Sequence, residues 1–264
     1  QCGMGARLRV ARAALHTGEE PCLCGERGAG AVFFSGCALH CVFCQNAEIS
    51  QRGFGKEIGT AQLAEIFLRL QDEGAQTLDL VSPTHFAPQI ARALERAKPR
   101  LRIPVVYNSN GYDSPEALGM MDGLVEIYLP DLKYKDAALS KAYSGAADYF
   151  DVAQAAIQEM YRQTGPLQWG ANGVLQRGLM VRHLLLPGCR KDSMAVLEAL
   201  SRLAPPRHIL LSLMSQYTPC YRAAAYKEID RRVTDFEIDS VRDYAVRLGF
   251  EGYGQARSAA DSRY

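Results

Sequence analysis

Cys37, Cys41 and Cys44 fall within eight residues in a C-x3-C-x2-C arrangement. A strand-like apolar run, Ala31 to Phe34, leads into a turn at Ser35-Gly36, and the three thiols follow at once. Three sulfurs on one short loop cannot all pair as disulfides without strain. They can converge on one metal centre. A cubane [4Fe-4S] cluster takes four ligands, usually cysteine thiolates, so three from one loop leave one iron open for an exchangeable ligand. A zinc knuckle or a structural cluster is the competing reading. Zinc sites prefer two C-x2-C pairs or added histidines, and His40, adjacent to Cys41, is expected to point away from a shared centre.

The motif has Phe43 just before its last cysteine and a small residue with Gly36 just before its first. In this it resembles the cluster loop of radical S-adenosylmethionine (SAM) enzymes. The resemblance implies a [4Fe-4S] cluster held by Cys37, Cys41 and Cys44, with the amino and carboxylate groups of SAM on the fourth iron. It implies reductive cleavage of SAM to a 5′-deoxyadenosyl radical that abstracts hydrogen from a substrate. Phe43 is then expected near the adenine. A reductant such as flavodoxin or ferredoxin is an implied partner. The cofactors carry the hard chemistry, and the protein supplies positioning and exclusion of water.

The elements that must hold this loop follow a βα rhythm. Strands are expected at 31–34, 77–81, 103–107, 124–129, 179–185 and 209–213. Helices are expected between them and at 235–248. Thr60 reads as an N-cap, and Leu63, Ile66, Phe67 and Leu70 form one apolar face. Six βα units predict an α/β fold, an open (β/α)6 partial TIM barrel of parallel strands with outer helices and a lateral mouth. Residues 164–178 form a Gly-rich excursion carrying the single Trp169. The chain divides into an N-terminal arm, 1–30, and a partial-barrel domain, 31–264. Within the arm, Leu8 to His16 reads as a short helix or an extended segment, ended by Glu19-Glu20-Pro21. Cys22 and Cys24 in an extended chain would share one face and could hold a second metal with Cys2; small, buried, non-ligating thiols are the plainer reading.

Composition narrows the class. The chain has 264 residues, 48% of them hydrophobic, enough for one sizeable core, and a net charge of +1. That charge offers no footprint for nucleic acid or an anionic membrane surface. The basic run from Glu95 to Arg102 reads as a solvated face, and no apolar run is long enough to span a bilayer. Eight cysteines in this much core fit a reducing, cytoplasmic compartment rather than a disulfide scaffold. The chain starts at Gln1, so an upstream segment is expected.

Polar residues gather just past each strand, where such folds build sites. After strand two come Ser82, Thr84 and His85. Radical SAM enzymes place a G-G-E-like segment there; this chain has S-P-T-H without the acid, and backbone carbonyls with Ser82 or Thr84 are the expected acceptors for an ammonium group. His85 either faces the substrate or is an ordinary helix-start residue. After strand three, Asn108 and Asn110 in N-S-N-G resemble the T-N-G segment that activating enzymes set near SAM; an Asn-Gly turn is the alternative. After strand four, Asp131 and Lys133 in D-L-K can pair on one side of an extended chain. In glycyl-radical-enzyme activating enzymes a D-L-K here contacts SAM and the substrate peptide, whereas a structural ion pair is the plain reading. In strand five, Arg182 and His183 must face opposite ways, and Arg182 is the expected inward member, toward a SAM carboxylate. After strand six, Gln216 and Tyr217 stand where activating enzymes carry a P-Y-H-like segment, but the histidine is missing. Cys189 and Cys220 are redox candidates or buried spectators.

End to end, F-F-S-G-C-A-L-H-C-V-F-C-Q-N-A-E-I-S, Y-N-S-N-G-Y, Y-L-P-D-L-K-Y, V-R-H-L-L-L-P-G and S-L-M-S-Q-Y-T-P are similar to one subfamily. These are uncharacterised radical SAM proteins related to pyruvate formate-lyase activating enzyme. Cys2-Gly3 resembles the tail of the Cys-rich stretch that precedes that subfamily's barrel. The resemblance implies hydrogen abstraction from a protein or peptide, a glycyl residue among the targets. A radical SAM enzyme for a small molecule, and a non-catalytic Fe-S or zinc protein, are the competing readings.

Overall fold

The computed structural model describes residues 2–255. Strand β1 (Arg9–His16) runs antiparallel to β2 (Ala29–Phe34). From β2 the sheet continues in chain order through β3 (Leu78–Val81), β4 (Val105–Ser109), β5 (Ile127–Pro130), β6 (Leu175–Leu184), β7 (Ile209–Met214) and β8 (Glu251–Gln255), every neighbour parallel. The pair Lys56–Glu57 extends the sheet beyond β1. Among the described residues the two outermost strands do not pair with each other, so the barrel is open on one side.

The outer layer is helical: α1 (Thr60–Asp72), α2 (Ala87–Ala97), α3 (Ala137–Ser144), α4 (Tyr149–Thr164), α5 (Arg190–Leu203) and α6 (Asp235–Arg247). Alternation along each strand decides what meets these helices. Val32, Phe34, Leu78, Leu80, Tyr107, Tyr128 and Val181 enter the large core with Phe67, Ile90, Leu94 and Ile157. Among the described residues no helix is long and apolar enough to cross a membrane.

The inward face is filled from an unexpected source. The connection from β1 to β2 turns through a short helix, Pro21–Cys24, and inserts into the barrel. Cys22 and Leu23 are buried there against Val106, Ile127, Leu129, Met180 and Leu210. Thr77 Oγ1 donates to the Leu23 carbonyl at 3.0 Å, which ties the plug to the start of β3. Full burial of Leu23 contributes about 2 kcal/mol.

The open α/β barrel of parallel strands is the architecture the sequence predicts, with additions. Residues 9–16 take the extended alternative. Cys22 and Cys24 lie in a helical turn instead of an extended chain, so the shared-face spacing does not arise. Both thiols are pushed up by burial, to about 12 and about 11. Part of the Gly-rich excursion is sheet, with Gln168–Trp169 pairing antiparallel to the first residues of β6. A seventh parallel strand, β8, follows the last helix. Its two glycines hide it from pattern reading, yet Gly252 is required: a Cβ there would overlap the Leu211 carbonyl of the neighbouring strand.

Candidate active site

The carboxyl ends of the parallel strands surround a cleft of about 300 Å³. Cys37, Cys41 and Cys44 line one wall. Their loop is fixed from several directions by backbone hydrogen bonds. Val42 N donates to Tyr143 O at 2.8 Å and His40 N to Ser144 O at 3.0 Å, while Gly36 N reaches Ile49 O at 3.0 Å. His40 turns outward, its Nδ1 2.6 Å from Gln51 Oε1, as expected. Each thiol also has a side-chain partner: Asn110 for Cys37, Ser144 for Cys41 and Ser50 for Cys44.

The donor set fits a cluster better than a single ion. Among the described residues no three His, Cys, Asp or Glu side chains converge closely enough to hold one metal ion. In a cubane each cysteine takes a different iron, so its ligands need not meet at a point. Zinc needs a four-ligand tetrahedron, which this loop does not offer. Burial pushes the Cys41 thiol up to about 11, an effect that the Lys133 ammonium opposes. Burial likewise raises Cys37. Ligation must therefore displace protons from thiols that hold them tightly when free.

Asp131 and Lys133 face the cleft from the end of β5 as an ion pair. Burial alone would lower the Lys133 ammonium, but Asp131, Cys41 and Tyr149 together outweigh it and the net shift is upward. The segment between them is held by Tyr149, whose hydroxyl donates to Asp131 O or Asn110 O, both at 2.9 Å, and accepts from Lys133 N at 3.1 Å. Gly111 makes this approach possible. Its φ is +79°, and a Cβ would overlap the Asp131 carbonyl. On the far side of the sheet, His183 Nδ1 donates to the Leu132 carbonyl at 2.6 Å.

The cleft floor is a buried charge cluster. Arg182 points inward and His183 outward, as alternation requires. Arg182 pairs with both Glu19 and Glu20, its Nε donating to Glu20 Oε1 at 2.9 Å. Burial would raise the Glu20 carboxyl, yet the guanidinium overrides it and holds the group below its ordinary range. Burial, with Glu19 close by, pushes the Asp79 carboxyl well above its ordinary value. Asn108 Nδ2 donates to Asp79 Oδ2 at 3.3 Å.

Ten of the residues expected to hold the cluster, SAM or substrate line this one cleft: the three cysteines, Phe43, Ser82, Asn108, Asn110, Asp131, Lys133 and Arg182. Thr84 does not. Its hydroxyl donates to Asp113 Oδ1 at 2.6 Å, in a buried knot with Tyr107 and Ser109. His85 also turns away, its Nε2 2.6 Å from the Ser35 carbonyl. Gln216 and Tyr217 line the cleft, and Tyr217 packs edge-on against Phe43 at 5.7 Å between ring centroids. Cys220 lies behind that wall, with Sγ 3.1 Å from the Phe43 carbonyl. Arg182, expected to meet a SAM carboxylate, is already engaged by two protein carboxylates. Those two glutamates, and His16 beside Glu19, were missed. Only the i, i+1 acidic pair before a proline could have hinted at them.

Residues 31–144 match the profile of the radical SAM superfamily. This matched segment, a little under half of the chain, is similar to the radical SAM superfamily. Radical SAM proteins use a [4Fe-4S] cluster and SAM, and the thiol-lined cleft described above falls largely within the matched residues. A curated relative, an uncharacterised protein of Methanocaldococcus jannaschii, is 28% identical over 251 residues, covering 90% of this chain and 67% of its own. Among solved structures, Streptococcus suis SuiB bound to its precursor peptide SuiA is similar with a TM-score of 0.58 at 13% identity. That match covers 83% of this chain and 46% of SuiB, so this chain spans about half of SuiB's length. Spore photoproduct lyase matches with a TM-score of 0.59 at 11% identity, covering 92% and 80%. A domain of pyruvate-formate lyase-activating enzyme from Bacteroides vulgatus matches with 0.50 at 14%, covering 66% and 94%. At these identities the solved structures show a shared fold alone, and substrate does not follow from it.

Proposed function

We propose that this chain is a radical SAM enzyme that binds its cluster through Cys37, Cys41 and Cys44 and abstracts hydrogen from a protein or peptide substrate, with a glycyl backbone among the targets. The observation that carries the reading is the cleft itself. Three thiols, the Asp131–Lys133 pair and the Arg182 cluster meet at the strand ends of a barrel that is open on one side. An open side admits a chain segment that a closed barrel would exclude. Trp169 and its excursion are half-exposed and lie away from the cleft, so they do not roof it into a small-molecule chamber.

SAM bound at such a cluster supplies the hydrogen-abstracting radical. The chain's own residues do the rest. Phe43 and Tyr217 offer an aromatic wall for an adenine. Ser82 and Asn108 present hydroxyl and amide groups to a polar ligand. Asp131 and Lys133 are the residues proposed to touch SAM and substrate at the reacting end, each neutralising the other until a ligand replaces the contact. The arm, 1–30, and the partial-barrel domain, 31–264, act together in this reading, because Glu19 of the arm forms part of the floor. A low-potential donor of the flavodoxin or ferredoxin class is the proposed reductant, and the cytoplasm the proposed compartment.

The test is anaerobic. The reconstituted protein is given dithionite and SAM, and 5′-deoxyadenosine is followed by chromatography. Product that disappears in Cys41→Ala supports the ligand set; product retained in that variant overturns it. For the substrate, deuterated cell extract is divided by ultrafiltration into large and small molecules. Deuterium entering 5′-deoxyadenosine from the large fraction supports a protein or peptide. Entry from the small fraction alone refutes it.

A further inference from the structure

Every cluster-loop sulfur has one side-chain hydrogen-bond partner, and the three partners come from three different elements. Asn110 Nδ2, past the end of β4, lies 3.1 Å from Cys37 Sγ. Ser144 Oγ, the last residue of α3, lies 3.0 Å from Cys41 Sγ. Ser50 Oγ, ending the short helix Ala47–Ser50, lies 3.2 Å from Cys44 Sγ. A ligating thiolate has lone pairs and no proton, so both hydroxyls must donate to it.

Each partner is also aimed. Tyr134 and Ser144 are both buried, their oxygens 2.9 Å apart. With the serine proton directed at Cys41, the phenol donates to the serine, giving a one-way chain from Tyr134 through Ser144 to sulfur. Gln51 Nε2 donates to Ser50 at 3.3 Å and to Leu39 O at 2.9 Å. Asn110 Oδ1 accepts from Tyr112 N at 2.8 Å, which fixes the amide with its nitrogen toward Cys37. The loop does not need these contacts for its shape, since the backbone bonds to Tyr143, Ser144 and Ile49 already hold it.

We propose that Asn110, Ser50 and Ser144, with Tyr134 behind Ser144, are positioning residues that set the reduction potential of the cluster; this rests on the cysteine ligand set proposed above. Reduction adds one electron to a centre whose sulfurs carry much of the charge. Hydrogen-bond donors present their positive ends to that charge and stabilise the reduced form, which raises the potential. The buried surroundings strengthen the effect, and the Tyr134–Ser144 chain polarises its terminal bond.

The experiment is an EPR-monitored redox titration of the reconstituted full chain, beside Ser50→Ala, Ser144→Ala, their double variant and Tyr134→Phe. Iron and sulfide are counted in each. The serine variants are expected to hold a full cluster whose midpoint is more negative than that of the unaltered protein. The double shift should approach the sum of the two, because the hydroxyls serve different sulfurs. Tyr134→Phe should move the midpoint in the same direction by less, and Ser50→Thr, which keeps its hydroxyl, should return it. Full clusters with unchanged or raised midpoints in both serine variants overturn the proposal. If buried Ser144→Ala does not fold, the half-exposed Ser50 position alone decides. A full four-iron complement in Cys41→Ala instead overturns the ligand set, so the two failures are told apart.

Discussion

Acidification should weaken this fold in part through a buried histidine, His183. The imidazole is buried on the helix side of β6. Its Nδ1 donates to the Leu132 carbonyl, and its Nε2 has no hydrogen-bond partner. Burial, reinforced by the nearby Lys133 ammonium and opposed by the Leu132 carbonyl, pulls its pKa from 6.5 to about 4. Between those values the unfolded chain binds a proton that the folded one refuses. Stability from this group is therefore complete above pH 6.5 and lost as the pH falls toward 4. At ~1.4 kcal/mol per tenfold change in proton activity, the loss is about 3 kcal/mol, a large share of a domain's net stability. The assay is urea unfolding followed by circular dichroism from pH 7.5 to pH 4, on protein without a reconstituted cluster so that acid release of iron does not enter. His183→Gln keeps an amide donor for Leu132 but cannot titrate. The stability difference between the native chain and His183→Gln should shrink by about 3 kcal/mol as the pH drops across that window. A difference that stays constant with pH would falsify the assignment of a buried neutral imidazole. The site follows the same residue, because Leu132 lies between Asp131 and Lys133. A proton on His183 places a second cation beside Lys133.

Further expectations concern strain and buried charge. Ser82 lines the cleft with φ of +58°, a conformation that costs a side-chain-bearing residue about 1–2 kcal/mol. Ser82→Gly should raise the unfolding free energy by up to about 1 kcal/mol, and Ser82→Val should lower it by at least as much; equal stability in all three chains would remove the strain. Arg182→Gln leaves Glu19 and Glu20 without their guanidinium and should destabilise by about 3–5 kcal/mol. A change below about 1 kcal/mol in thermal or urea unfolding would mean that solvent reaches the cluster.

Much of this could be read from the sequence, for reasons that differ by residue. The cysteine loop is local: three thiols, a turn and a preceding strand are all encoded within a few residues. The strand-end polar set was legible because parallel strands deliver their carboxyl ends to one place, so Ser82, Asn108, Asp131 and Arg182 gather without any knowledge of loop paths. Thr84 fails because the chain turns helical right after Pro83, which aims its hydroxyl at Asp113, a buried carboxylate with no local signature. The glutamates of the floor fail for a related reason. In sequence they look like polar punctuation before Pro21, and their partner is more than 160 positions away. Strand β8 escapes because Gly252 and Gly254 supply no alternating pattern, although the first is demanded by close packing on Leu211.

The plug at the barrel floor also sets a timetable for synthesis. The β1–β2 hairpin that carries it emerges from the ribosome early and can pair by itself. Its buried glutamates, however, need Arg182, and its Leu23 needs Ile127, Met180 and Leu210. Glu20 and Arg182 are 162 residues apart. At about 5–20 residues per second, the wait is on the order of ten seconds or more. During it the N-terminal segment carries unpaired acids and exposed apolar side chains next to three reactive thiols. A nascent chain in that state is a client for a chaperone, and a chain stalled before β6 would expose its cysteine loop with no floor beneath it.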